Sequence, residues 1–66
     1  MDLTINGQTQ SVPDGLTVAG LLAQMGLAGK PVAVEVNRNV VAKRQHDQHT
    51  LNDGDTIEMV TLVGGG

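Results

Sequence analysis

No cysteine, tryptophan, tyrosine or phenylalanine occurs anywhere in this chain. Its core must therefore be assembled from Leu, Ile, Val, Met and Ala, with neither a disulfide nor a thiolate-bound metal as a staple. A lack of cysteine does not fix a compartment by itself, but a small secreted domain more often carries disulfides. Basic residues are also scarce: four Lys and Arg against seven Asp and Glu leave a net charge of −3. Nucleic acid needs a basic face to neutralise its phosphates, so that class of partner is set aside. Mild acidity suits a partner with a basic docking surface, and it is also the ordinary way to stay soluble. There is no basic, apolar leader at the start and no apolar run near the roughly 18 residues of a membrane span. The expectation is a soluble, cytoplasmic protein without a membrane partner.

A chain of 66 residues is one small domain, because at this length only about 60% of the unfolded surface is buried on folding. An enclosed ligand cavity of roughly 300 to 1,000 Å³ would have to be hollowed out of that single core. Function is therefore expected at a surface or at an end.

What is present begins with alternation. Met1, Leu3 and Ile5 fall on one face, and Asp2, Thr4 and Asn6 on the other, as in a half-buried strand. Asn6-Gly7 supplies the two residues that tolerate positive φ in a type I′ turn, and Gln8 to Val12 return as the second strand of a hairpin. Pro13-Asp14-Gly15 then starts a loop. Val18, Leu21, Leu22 and Met25 recur at i, i+3, i+4 and i+7, the stripe of an amphipathic helix. Thr17 is placed to cap it and Gly26 to end it, with Leu27 available for the hydrophobic contact that often follows. Gly20 weakens this helix unless it allows close approach to the sheet.

Val32, Val34 and Val36 alternate with Ala33 and Glu35 in a third strand. Asn37-Arg38-Asn39 turns the chain into a short Val40-Val41 strand, and the polar residues 42–50 read as a loop with a single helical turn. Leu51 enters the core, Asn52 to Asp55 turn, and Thr56 to Val63 form the last strand. On that strand Ile57 and Met59 point one way, and Glu58, Val60 and Leu62 the other. The order predicts an α+β fold of the β-grasp type: a mixed sheet of four to five strands, one main helix on one face, and the first and last strands as parallel central neighbours. Residues 1–63 are expected to form the domain and residues 64–66 a flexible glycine tail.

Several clusters invite a chemical reading. His46 and His49 would share a face in a helical turn and, with Asp47 between them, offer three potential ligands to a metal, but three groups in an exposed loop read as polar surface, and no metal is assigned. Lys43 and Arg44 read as a solvated loop, since two adjacent charges do not make a patch. Asp53 and Asp55 flank Gly54 as turn formers rather than as a catalytic pair. Val60 and Leu62 are apolar on the side the helix leaves open, which suggests a docking patch continuing to Val63.

Gly64, Gly65 and Gly66 follow directly from the last strand. Three extended residues span about 10 Å, and without Cβ atoms they pass through a channel too narrow for other residues. They would carry a carboxylate into a partner's buried site. A carboxylate resists nucleophiles until it is activated, and ATP does this by forming an acyl-adenylate with AMP as leaving group, which sulfur can displace.

The hairpin LTINGQ, the helix TVAGLL, the strand VAVEVN and the closing LNDGDTIEMVTLVGGG resemble the ThiS family of thiamine-pathway sulfur carriers over essentially the whole chain. The resemblance implies a ubiquitin-like fold and a protein co-substrate rather than an enzyme. It implies that Gly66 is adenylated by a ThiF-like enzyme using ATP and Mg²⁺, neither being bound by the carrier itself. The product would be a thiocarboxylate whose sulfur comes ultimately from cysteine through a donor such as a cysteine desulfurase system. The same resemblance implies thiazole synthase, ThiG-like, as acceptor, Gly64 and Gly65 as the slender tail, and Val60 and Leu62 at partner-facing positions. The rival expectations are a sulfur carrier for molybdopterin or another pathway, a ubiquitin-like modifier, and a plain interaction module. Molybdopterin synthase small subunits tend to be longer and to carry aromatics, which places that rival second.

Overall fold

Alternation at the start of the chain becomes strand β1, Asp2–Ile5, with Leu3 and Ile5 buried. The computed structural model describes residues 1–62. Asn6 and Gly7 both take positive φ, 49° and 82°, the two left-handed residues that a tight hairpin turn requires. The chain returns as β2, Gln8–Ser11, antiparallel to β1 with Leu3 opposite Gln10 and Ile5 opposite Gln8. Strand pairing stops at Ser11, one residue before the expected end, although the buried Val12 still donates its N–H to the Met1 carbonyl at 2.8 Å.

Helix α1, Val18–Gln24, is set by the expected signals. Thr17 Oγ1 accepts from Gly20 N at 3.1 Å. At the other end Gly26 adopts φ 74°, and paired bonds run from Leu27 N to Leu22 O at 2.8 Å and from Gly26 N to Ala23 O at 3.1 Å. That is the Schellman closure, in which a left-handed residue lets the last carbonyls find partners. Val18, Leu21 and Leu22 are buried. Met25, expected on the same stripe, is a correction: it sits at the C-cap and is exposed, because the helix ends before a further turn can carry it over the sheet. Gly20 also departs from expectation, since a Cβ there would meet Leu16 Cδ2 at 3.0 Å. The close neighbour is the loop leading into the helix, not the sheet.

Strand β3, Val32–Val36, buries Val32, Val34 and Val36 and exposes Ala33 and Glu35. The turn into β4, Asn39–Val41, is tighter than expected, with only Asn37 and Arg38 at positive φ, 50° and 70°, so that Asn39 already belongs to the strand. A 3₁₀ turn at Lys43–Gln45 realises the single helical turn expected in the polar segment. Strand β5, Thr56–Thr61, buries Ile57 and Met59. It stops at Thr61, short of the expected span, because at Leu62 the ladder gives way to a bond to the loop at Pro31.

The sheet order is β2-β1-β5-β3-β4. Strand β5 is parallel to β1, with Ile5 beside Ile57, and antiparallel to β3, with Val34 beside Met59. This is the mixed β-grasp sheet with one helix. The last strand to leave the sequence is therefore the first in centrality, hydrogen-bonded on both edges. Leu3, Val18, Leu21, Val34, Leu51 and Ile57 are completely enclosed, and each such side chain contributes roughly 1.5 to 3 kcal/mol by leaving water. An all-aliphatic core suffices because helix and sheet interdigitate around these branched side chains.

Candidate functional site

Strand β5 ends beside the start of β3: Thr61 stands opposite Val32, and Val60 opposite Ala33. One residue later Leu62 N donates to the Pro31 carbonyl at 2.8 Å. The chain is thus held at the middle of the sheet up to the point where residues 63–66 continue. The tail residues Gly64, Gly65 and Gly66, and with them Val63 and the expected boundary between domain and tail, lie outside the described residues.

The sheet face away from the helix carries the apolar side chains expected from the pattern. Val60 is 61% exposed and Leu62 52%. Val40, which the sequence reading had not singled out, is 76% exposed and shares this face through its register with Glu35, which in turn stands opposite Glu58. A signal for Val40 was present in the chain, since a strand beginning Asn39-Val40-Val41 must send one of its two valines outward. The surface therefore consists of aliphatic side chains around two carboxylates, spread over β3, β4 and the strand β5 that precedes the glycines in the chain.

The turn before β5 behaves as a frame rather than as a reactive pair. Asp53 Oδ1 accepts from Asp2 N at 2.6 Å. Asp55 accepts from Asn52 N at 2.9 Å and from Asn37 Nδ2 at 3.0 Å. Gly54 takes φ 87° and donates to the Asp2 carbonyl at 2.8 Å. Each carboxylate accepts backbone or amide hydrogens, which aligns β1, β5 and the β3–β4 turn.

His46 is a correction to the polar-surface expectation. It is buried, 7% exposed, and its Nε2 lies 3.1 Å from the Val41 carbonyl oxygen, which requires the proton on Nε2. Burial follows from the 3₁₀ turn, which swings the ring beneath α1 while Asp47 stays outside. His49 is half-buried. Among the described residues no group of three or more His, Asp or Glu is arranged to hold a metal ion.

The polar segment also supplies backbone. The His49 carbonyl accepts from Val18 N at 3.0 Å, the His46 carbonyl accepts from Ala19 N at 2.8 Å, and the Leu16 carbonyl accepts from Leu51 N at 2.8 Å. Residues 46–51 thus satisfy the first helix amides, which have no partner within a helix. No pattern of side chains announces such a role, because the donors and acceptors are main-chain groups. Lys43 and Arg44 are exposed, as a solvated loop implies, and they line a surface groove of about 320 Å³ together with Lys30, Leu22 and Val32.

Comparisons with known proteins agree with one another. Residues 3–66 match the model of the ThiS family. The sulfur carrier protein ThiS of Bacillus subtilis is 38% identical over 65 residues, covering 97% of this chain and 98% of that protein. The crystal structure of the thiamine biosynthesis protein ThiS from Geobacter metallireducens superposes with a TM-score of 0.85 at 36% identity, with full coverage of both chains. A thiazole synthase of Paramagnetospirillum magneticum is 41% identical over all 66 residues, which make up only 20% of its own length. The chain thus spans about a fifth of that relative.

Proposed function

Because this chain belongs to the ThiS family, we propose that it is a sulfur carrier whose C-terminal Gly66 is converted to a thiocarboxylate that donates sulfur to thiazole formation in thiamine biosynthesis. The carboxylate attacks the α-phosphate of ATP, pyrophosphate leaves, and an acyl-adenylate forms on Gly66. The terminal sulfur of a persulfide on a donor such as a cysteine desulfurase system then attacks the acyl carbon, and AMP departs. A thiol reduces the resulting acyl disulfide, releasing the thiocarboxylate and leaving the thiol and the donor cysteine joined as a disulfide. Mg²⁺ and ATP belong to the ThiF-like adenylating partner, and the chain acts as its substrate rather than as a catalyst. The setting is the cytoplasm. Among the described residues, no helix is long and apolar enough to cross a membrane.

One observation carries the reading: a full-length match to a sulfur carrier in a chain whose central strand β5 ends at Thr61 and is followed in sequence, after Leu62 and Val63, by Gly64, Gly65 and Gly66. A strand bonded on both edges is a firm mount for a narrow arm. The outward Val60 and Leu62 precede that arm in the chain and suit a partner's docking surface, which Val63 would extend. Thiazole synthase is favoured as acceptor because the Paramagnetospirillum magneticum thiazole synthase contains a stretch similar to this whole chain. That match also ranks thiazole formation above molybdopterin synthesis.

The test is mass spectrometry after incubation with a ThiF-like enzyme, ATP, Mg²⁺ and a sulfur donor. Exchange of one terminal oxygen for sulfur is expected. Deletion of Gly66 should abolish it with the fold intact. An unchanged mass for the wild type, or attachment to a lysine, would overturn the reading.

A further inference from the structure

The chain's charges are segregated. Lys30, Lys43 and Arg44, three of its four cationic residues, line the groove between α1 and the 3₁₀ turn, with Asp47 as the only carboxylate there. The groove therefore carries a charge of +2, and the remaining chain, one cation against six carboxylates, carries −5. All three cations are exposed, and the ion pair found among the described residues is Met1 with Asp14. Three cations on one concavity repel one another, and Asp47 is the one carboxylate among the lining residues to offset them.

The occupant can be narrowed. A bound phosphate usually needs backbone amides as well as side chains. Here the nearby helix amides are committed: Val18 N to His49 O, Ala19 N to His46 O, and Gly20 N to Thr17 Oγ1. The charged donors are long, exposed side chains on two separate segments, Lys30 on one and Lys43 with Arg44 on the other, which suits carboxylates spread over a protein surface. The groove also lies next to the tail's exit, for Lys30 precedes Pro31, whose carbonyl holds Leu62 N at 2.8 Å.

We propose that this groove is a second docking site, in which Lys30, Lys43 and Arg44 take an acidic segment of the adenylating enzyme that holds the tail. The proposal rests on the sulfur-carrier reading and adds a surface on the helix side of the molecule, separate from the sheet face of Val60 and Leu62. It also gives an acidic protein an attractive patch where the enzyme must orient it.

The experiment measures adenylation of the full chain by its cognate ThiF-like enzyme, with KM and kcat determined at low and at physiological salt. The double variant Lys43→Glu with Arg44→Glu should raise KM about tenfold at low salt, leave kcat unchanged and flatten the salt dependence. Lys30→Glu should act in the same direction. Arg38→Glu, at the β3–β4 turn outside the groove, should leave KM as it was. Circular dichroism confirms that each variant is folded. Equal KM values for the groove variants and Arg38→Glu overturn the groove while wild-type turnover leaves the carrier reading standing. If the wild type is not adenylated, the carrier reading fails and the groove proposal with it. Amide shifts at Lys43 and Arg44 on adding inorganic phosphate alone, without the KM effect, would assign the groove to a small anion and also overturn the proposal.

Discussion

The side-chain amide of Asn6 grips both backbone groups of Met59: Oδ1 accepts from Met59 N at 2.8 Å and Nδ2 donates to Met59 O at 3.2 Å. Strand β1 ends at Ile5, and Asn6 N still donates to Ile57 O at 2.9 Å before the chain turns away. The side chain continues the parallel ladder where the main chain has left it. Asn37 plays a related part on the other edge of β5, accepting from Thr56 N and donating to Asp55, both at 3.0 Å.

Replacing Asn6 by Gly keeps the left-handed turn and removes the clamp. We expect Asn6→Gly to lower stability by about 1 to 3 kcal/mol, two net hydrogen bonds at the usual worth. Urea denaturation with an unchanged m-value tests this. A loss below a few tenths would mean that water replaces the amide at no cost.

Glu35 and Glu58 face each other across β3 and β5, and the ion pair found among the described residues lies elsewhere, at Met1 and Asp14. Like charges directly opposite destabilise a sheet, and opposite charges contribute roughly 0.2 to 1 kcal/mol. Glu58→Lys should therefore raise the melting temperature, and Glu58→Gln should raise it less. A lower melting temperature for both would refute the repulsion.

His46 and His49 support the helix in different ways. The His46 ring is buried on the Val41 carbonyl, so His46→Ala should cost about 2 to 3 kcal/mol through the lost bond and the void. His49 acts through its backbone carbonyl, which survives substitution, and His49→Ala should cost under about 0.5 kcal/mol. Chemical denaturation of the pair distinguishes the two roles, and equal losses would contradict them.

The Met1 ammonium has its pKa raised above the ordinary value of about 8, chiefly by its hydrogen bond to the Asp14 carboxylate, which outweighs desolvation, with the negative charges of Asp14, Asp53 and Asp2 adding to the rise. A raised folded-state pKa stabilises the charged form. The contribution is complete below the unfolded value and disappears as pH rises through the folded one. The stability difference between wild type and Asp14→Asn should accordingly be present at neutral pH and vanish in alkaline solution. Thermal melts across that range check it, and a difference that persists at high pH would exclude the ion pair as its source.

Much of the fold was legible because each element carries its own local instruction. The turn at Asn6-Gly7 needs two left-handed residues, Thr17 and Gly26 bracket the helix, and the valines of β3 alternate with the exposed Ala33 and Glu35. Local rules weaken at ends, which is why β2 and β5 came out shorter than their patterns and why Met25 lies outside the buried stripe. The docking face was partly visible in Val60 and Leu62, whereas Val40 was hidden in a strand of three residues.

By itself the sequence determined the hairpin, the helix with both its caps, the composition of an aliphatic core and the glycine run that follows the last strand, since these depend on neighbours within a few positions. Tertiary structure alone decided that Asn6 completes the ladder at Met59 and that His46 is interior. It also turned the His46 and His49 carbonyls into acceptors for the helix amides and brought Lys30 into one groove with Lys43 and Arg44. Those relationships join residues distant along the chain through main-chain groups and shared concavities, and hydropathy and charge order record neither.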